Sequence, residues 1–185
     1  MPAVHILVPG YTGPRVASTV SLIEADDSLI VVDPGLVASR DRILDPLRAL
    51  GHDPASVSDV IISHHHPDHT INIALFPNAA VHDHWAIYRD DLWESREAEG
   101  FAVALGVTLW ETPGHTPQDI TTIVDTEEGV VALTHLWWQS DHPVEDPYCT
   151  DPEALHRGRA RVLESAVFVV PGHGELFVPD STTPR

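Results

Sequence analysis

Three apolar, β-branched runs in this chain end in histidine. Val60-Ile61-Ile62 leads into Ser63-His64-His65-His66-Pro67-Asp68-His69, residues 101–111 lead into Pro113-Gly114-His115-Thr116, and residues 167–170 lead into Pro171-Gly172-His173-Gly174. Short apolar runs punctuated by Gly, Pro and Asp read as strands. The first of the three runs covers 59–63, and further runs of this kind cover residues 5–9, 16–24, 28–33, 79–82, 120–125 and 130–134. Two segments have helical spacing. In 39–50, Ser39 can cap and Ile43, Leu44, Leu47 and Leu50 share a face, with Pro46 predicting a kink or a late start. The second opens at Asp151-Pro152-Glu153, a cap followed by proline, and runs to about Ser165. Strands first, then strand and helix in alternation, predict a layered α/β protein with sheets face to face and helices outside. At 185 residues without an internal repeat or low-complexity linker, residues 1–185 are expected to form one domain.

Histidine nitrogens and carboxylate oxygens are the ligands that zinc and related ions take. Residues two apart on an extended backbone project to the same side, so His64 and His66 can grip one ion while His65 points away. Asp68 and His69, beyond the proline bend, can reach a second. A solvated His-rich tract would have the same composition, but this cluster sits mid-chain at a strand end. His115 and His173 repeat that context after Pro-Gly turns, which let backbone approach a site closely.

The pattern His64-x-His66-x-Asp68-His69, with His115 in TPGHT, His173 in PGHG and the strand-end Val31-Val32-Asp33-Pro34-Gly35, resembles the metallo-β-lactamase superfamily. That resemblance implies a four-layer αββα sandwich with the site at one edge between the sheets. It also implies a first metal on His64, His66 and His115 and a second on Asp68, His69 and His173, as one or two Zn2+ ions, with Fe or Mn as alternatives. Asp33 becomes a candidate to orient a ligand histidine. One position departs from the family pattern. Where many members carry an aspartate bridging both metals, this chain has His135. Three outcomes are open: His135 binds one metal terminally, stands behind the ligands, or marks a weak second site.

By the same resemblance the expected activity is hydrolysis of a small ester, lactone, thioester or phosphoester by a metal-activated hydroxide, with Asp68 as the catalytic carboxylate. A mononuclear iron oxygenase of the sulfur-dioxygenase type and a non-catalytic metal-binding protein are the alternatives. The spare histidines His82, His84 and His142 are candidates for protonating a leaving group. The connections 84–100 and 136–150, rich in Trp and Tyr, are expected to select the substrate, with Trp137-Trp138 supplying either an aromatic wall or core packing.

The net charge of −18 and the complete absence of lysine disfavour nucleic acid, and with it RNA cleavage. Without lysine, Arg89, Arg96 or Arg157 would have to hold a β-lactam carboxylate, and nothing in the sequence points to one of them. No apolar stretch approaches the length of a spanning helix. The N-terminus has no signal-like segment and Cys149 is the single cysteine, which together point to a cytoplasmic protein. The expected partner is a small-molecule substrate, with a homodimer as the further association.

Overall fold

The computed structural model describes residues 1–185, and two sheets pack face to face in it. The first has seven strands in sequence order: β1 (Ala3–Val8), β2 (Val20–Ala25), β3 (Ser28–Val32), β4 (Asp59–Ile61), β5 (Ala80–His82), β6 (Ala86–Arg89) and β7 (Leu92–Ser95). The second has five: β8 (Ala102–Ala104), β9 (Val107–Glu111), β10 (Ile120–Thr126), β11 (Gly129–Thr134) and β12 (Phe168–Pro171), with β12 at the far edge beside β11. Helix α1 (Asp41–Ala49) crosses from β3 to its parallel neighbour β4, a short α2 (Pro67–Thr70) follows β4, and α3 (Pro152–Ser165) crosses from β11 to parallel β12.

Strand alternation sorts the apolar side chains into three layers. Ile30 and Val32 of β3, Ile23 of β2, Val124 of β10 and Val131 and Leu133 of β11 meet between the sheets. Their sequence neighbours point outward: Val31 and Leu22 pack with Ile43 and Leu47 of α1, and Ile123 and Ala132 pack with Leu155 and Val162 of α3. Burying each such large side chain contributes roughly 1.5–3 kcal/mol. The result is the expected αββα sandwich, and it is this periodicity, with both sheets apolar on both faces, that demands helices outside.

Helix α1 begins at Asp41, two residues after Ser39, whose hydroxyl accepts from the Asp41 amide. Pro46 does not delay the start as expected: it lies inside the helix, which begins five residues before it. Leu44 is half-buried and Leu50 exposed, so the buried stripe is narrower than the four-residue face expected. Asp151 caps α3 as expected, accepting from the Ala154 amide at 2.9 Å. The run 101–111 is two strands, because Gly106 with φ +77 turns the chain between β8 and β9. Residues 86–95, expected within a pocket loop, are instead the hairpin β6–β7, and its two-residue turn is formed by Asp90, with φ 52, and Asp91. No helix is long and apolar enough to cross a membrane.

Candidate metal centre

Strands β3 and β4 are parallel, and β9, β11 and β12 run in one direction across the second sheet. Their carboxyl ends meet at one edge of the sandwich, where ligand sites of open α/β sheets form. Asp33 follows β3, His64 and His66 follow β4, Asp68 and His69 sit on α2, His115 follows β9, His135 follows β11 and His173 follows β12. All seven of the sequence-nominated site residues are brought together there, with Asp33 behind them.

His64, His66 and His115 form one triad. His64 Nε2 lies 3.0 Å and His115 Nε2 3.1 Å from His66 Nδ1. Hydrogen bonds on the far side of the rings fix which nitrogens carry lone pairs. The Ser63 hydroxyl gives its single proton to Asp33 Oδ2 at 2.7 Å, so toward His64 Nδ1, 3.0 Å away, it is an acceptor. His115 Nδ1 donates to Asp146 Oδ2 at 2.7 Å. Both Nε2 atoms are therefore left as lone pairs aimed into the triad. Ligand nitrogens 2.0–2.1 Å from a tetrahedral ion stand about 3.3 Å apart, close to the observed spacing.

Asp68, His69 and His173 form a second triad. Asp68 Oδ2 lies 3.7 Å from His69 Nε2 and 3.6 Å from His173 Nε2. His69 Nδ1 donates to Asp33 Oδ2 at 2.8 Å, and His173 Nδ1 donates to the Ala17 carbonyl at 2.9 Å. His69 Nε2 is thus an acceptor, and it is fully buried with no hydrogen-bond partner. An unpaired buried polar atom costs about 1–3 kcal/mol, which a cation at this triad recovers. Both donor sets fit a metal ion. Asp33 also receives the Ser63 amide at 2.7 Å, so one carboxylate positions His69 directly and His64 through Ser63. It adopts φ 52, a strained conformation outside glycine that is typical of functional positions.

His135 stands between the triads. Its ring centroid lies 4.2–5.0 Å from those of His64, His69, His115 and His173, and its Nε2 is 3.1 Å from His173 Nε2. Because His173 Nδ1 already carries its proton, His135 Nε2 donates to His173, which leaves His135 Nδ1 buried without a partner. Gly172 makes this possible: a Cβ there would lie 2.4 Å from His135 Cδ2. Of the two Pro-Gly turns, then, that at Gly172 brings backbone against a site residue. Gly114 serves packing instead, with its missing Cβ 2.9 Å from Leu155 Cα of α3.

Burial, reinforced by the neighbouring imidazoles, pushes His64 and His135 well below the usual histidine value and His173 down to about 4; His66 is lowered for the same reasons. These rings are neutral at pH 7, each with one N–H and one lone pair.

A cleft of about 410 Å³ opens over both triads, lined by Thr12, Gly13, Val16, His66, Asp68, His115, His135, Trp138, Tyr148 and His173. Larger hollows beside Met1 and Pro2 contain no histidine. Both readings of the tryptophan pair hold: Trp137 is core, donating to the Pro184 carbonyl, and Trp138 is wall. The connection 84–100 contributes nothing to the lining. The loop carrying Thr12, Gly13 and Val16 does, a role sequence reasoning missed because nothing in it is chemically reactive. Arg89 donates to the Asn78 carbonyl, Arg96 to the Asp83 carbonyl and Arg157 faces Glu153, so none reaches the cleft. His82 pairs with Asp59 and His142 with Asp141, and with His84 they too stand outside it.

The family model of the metallo-beta-lactamase superfamily matches residues 13–175. Metallo-beta-lactamase domain-containing protein 1 of Xenopus laevis is 31% identical over 95% of this chain and 81% of its own length. Among solved structures, a metallo-beta-lactamase-type protein from Thermotoga maritima superposes with a TM-score of 0.75 at 23% identity, over 96% of this chain and 99% of that one. A quorum-quenching N-acyl homoserine lactone lactonase superposes at 0.67 and 21% identity, over 93% and 91%. With the ligand triads, the sandwich and these matches in agreement, this chain belongs to the metallo-beta-lactamase superfamily, whose members are mostly hydrolases and bind metal ions.

Proposed function

We propose that this protein is a dinuclear metal-dependent hydrolase, with Zn2+ as the expected ion, acting on a small uncharged ester, lactone or thioester. The observation that carries this reading is the cleft: the two ligand triads present His66, His115, Asp68 and His173 to it, and no arginine or lysine lines it. Divalent ions on those triads would polarise a carbonyl and lower the pKa of water toward neutrality. Asp68 is the only carboxylate that lines the cleft. One of its oxygens faces His69 and His173, which leaves the other to accept the proton of an attacking water. Apart from the ions themselves, a carboxylate-bearing β-lactam or a phosphate would find no arginine or lysine in the cleft to hold it. The lactonase among the structural neighbours supports the lactone within this class.

His135 replaces a charge with a neutral ring, so Asp68 would be the only anionic ligand that the two triads offer to two cations. The second equivalent is therefore expected to bind more weakly than the first. The test is elemental analysis of protein purified without a histidine tag, beside His135→Asp, with a screen of neutral lactones and esters before and after chelation. Two equivalents, tightened by His135→Asp, with chelator-sensitive turnover, support the proposal. Saturation at one equivalent overturns the dinuclear centre, and one iron with oxygen uptake on a persulfide replaces hydrolysis with the oxygenase reading.

A further inference from the structure

Asp146 is buried, stands on the connection between β11 and α3, and is neither conspicuous in the sequence nor part of either triad described above. Its Oδ2 accepts from His115 Nδ1 at 2.7 Å and from Trp138 Nε1 at 3.0 Å, and its Oδ1 accepts from the Tyr148 amide at 2.9 Å. The indole N–H can only donate. With two donors already on Oδ2, the carboxylate orients these groups rather than serving as a ligand itself, although it lies near His115 and His135. Each donor leads to the cleft: His115 to the first triad, Trp138 and Tyr148 to its wall.

Those two rings are stacked, with planes 8° apart and centroids 5.7 Å apart. Trp138 stands edge-on to His115, His135 and His173, with centroids 6.0, 6.1 and 5.9 Å away, so it spans both triads. Tyr148 is 68% exposed, its ring against Trp138 and edge-on to the ligand His115 with centroids 6.5 Å apart. The same connection is pinned from beneath by Arg159, fully buried, which donates to the carbonyls of Leu136 and Val144. A rigid pair of parallel ring faces above the metal triads, with no cation or amide donor in the cleft, favours a flat, uncharged group that stacks. A cationic group would be repelled by ions in the triads.

We propose that Asp146 is a positioning residue that hangs the Trp138–Tyr148 platform from the ligand His115, making that platform the subsite for a flat, uncharged group of the substrate. This deepens the hydrolase reading and rests on it for the word substrate. The coupling is physical. An ion on His115 Nε2 makes the Nδ1 proton more acidic and strengthens its bond to Asp146, which in turn holds the indole and the Tyr148 amide in place.

The test titrates metal-free protein with Zn2+ while reading tryptophan emission, with Trp138→Phe identifying the Trp138 component, and then adds 4-nitrobenzyl alcohol, a neutral planar quencher that needs no turnover. In the unaltered protein, Trp138 emission is expected to change with one zinc equivalent and to be quenched by the alcohol more strongly when that zinc is bound. Asp146→Asn is expected to weaken that equivalent 10- to 100-fold, to leave the other within 3-fold because Asp33 orients His69, and to lose the zinc-dependent quenching. Trp138→Phe keeps the ring but not the donor, and is expected to leave both zinc affinities within 3-fold. For neutral esters, a phenylacetyl group is expected to exceed cyclohexylacetyl by about 3- to 10-fold in kcat/KM. Unchanged zinc affinity and quenching in Asp146→Asn overturn the proposal, as does a loss of both equivalents together, which marks Asp146 as a mere fold residue. Quenching as expected with no neutral ester, lactone or thioester turned over sinks the hydrolase reading and leaves the platform standing.

Discussion

Gly35→Ala isolates the contact that places the second triad. Gly35 lies in the loop after β3, and a Cβ there would stand 1.5 Å from the Asp68 carbonyl oxygen, 2.1 Å from its carbon and 2.6 Å from the His69 amide nitrogen. Ordinary contact begins near 3.4 Å, so helix α2 and the loop would have to part by about 2 Å. Three hydrogen bonds resist that movement: Leu36 amide to Asp68 carbonyl at 3.0 Å, Asn72 amide to Pro34 carbonyl at 2.9 Å and Asn72 Nδ2 to Gly35 carbonyl at 2.7 Å. Gly35 does not have positive φ, so alanine meets no backbone strain and would by itself stabilise through the unfolded chain by about 0.4–1 kcal/mol. Overpacking typically costs about 1–3 kcal/mol, more against backbone. A net loss of about 2–3 kcal/mol follows, which for a domain this size lowers Tm by about 4–12 °C. Metal sites tolerate distance errors of about 0.2 Å, so the displaced Asp68 and His69 should lose their ion, while the first triad, tied to α2 only through His66 at its N-cap, is weakened less. Calorimetry and metal analysis of the folded variant check both statements. Two equivalents bound at unaltered affinity would refute the placement of α2 against this loop.

Two further predictions concern protons. In metal-stripped protein the histidines with lowered values bind fewer protons folded than unfolded, so stability is expected to fall with pH from about 6.5 down through about 4, where His173 titrates; denaturant melts that are flat across this window would contradict it. Asp119 has the opposite sign: burial raises it to about 6 despite hydrogen bonds from the Thr116 amide and hydroxyl. Its contribution is present at low pH and lost as pH rises through 6, so Asp119→Asn is expected to gain up to about 3 kcal/mol over wild type at pH 8 and little at pH 4, and equal differences at both pH values in urea melts would count against the buried charge.

The ligands were legible because metal binding needs particular residue types at particular spacings, and this chain concentrates them at strand ends. Apolar periodicity placed the three histidine motifs after strands, and the family resemblance implied that these strand ends, with Asp33 at the end of β3, share one edge. Where the reading failed, the local signal was ambiguous. Asp90-Asp91 closes the β6–β7 hairpin without the Asn-Gly or Asp-Gly signature of such turns, so the alternating aromatic and acidic residues around it resembled a pocket loop. Gly106 divides 101–111 into two strands, but a glycine within an apolar run marks a bulge as readily as a turn.

Asp146 illustrates a different limit. It is one acid among Asp141, Glu145 and Asp146 in a short stretch, and nothing local distinguishes it. Only the fold sets its carboxylate beneath His115 and Trp138 while Asp141 stays at the surface beside His142. His135 lies between these cases: its departure from the family pattern was visible in the sequence, but its consequence depended on where the ring points. The structure turns it toward His173, with a proton donated to the nitrogen that the second ion needs. An ion entering the Asp68 triad must therefore displace that hydrogen bond as well as do without a second carboxylate. Ring orientation and lost charge thus act in the same direction, and both predict that the centre fills in two unequal steps.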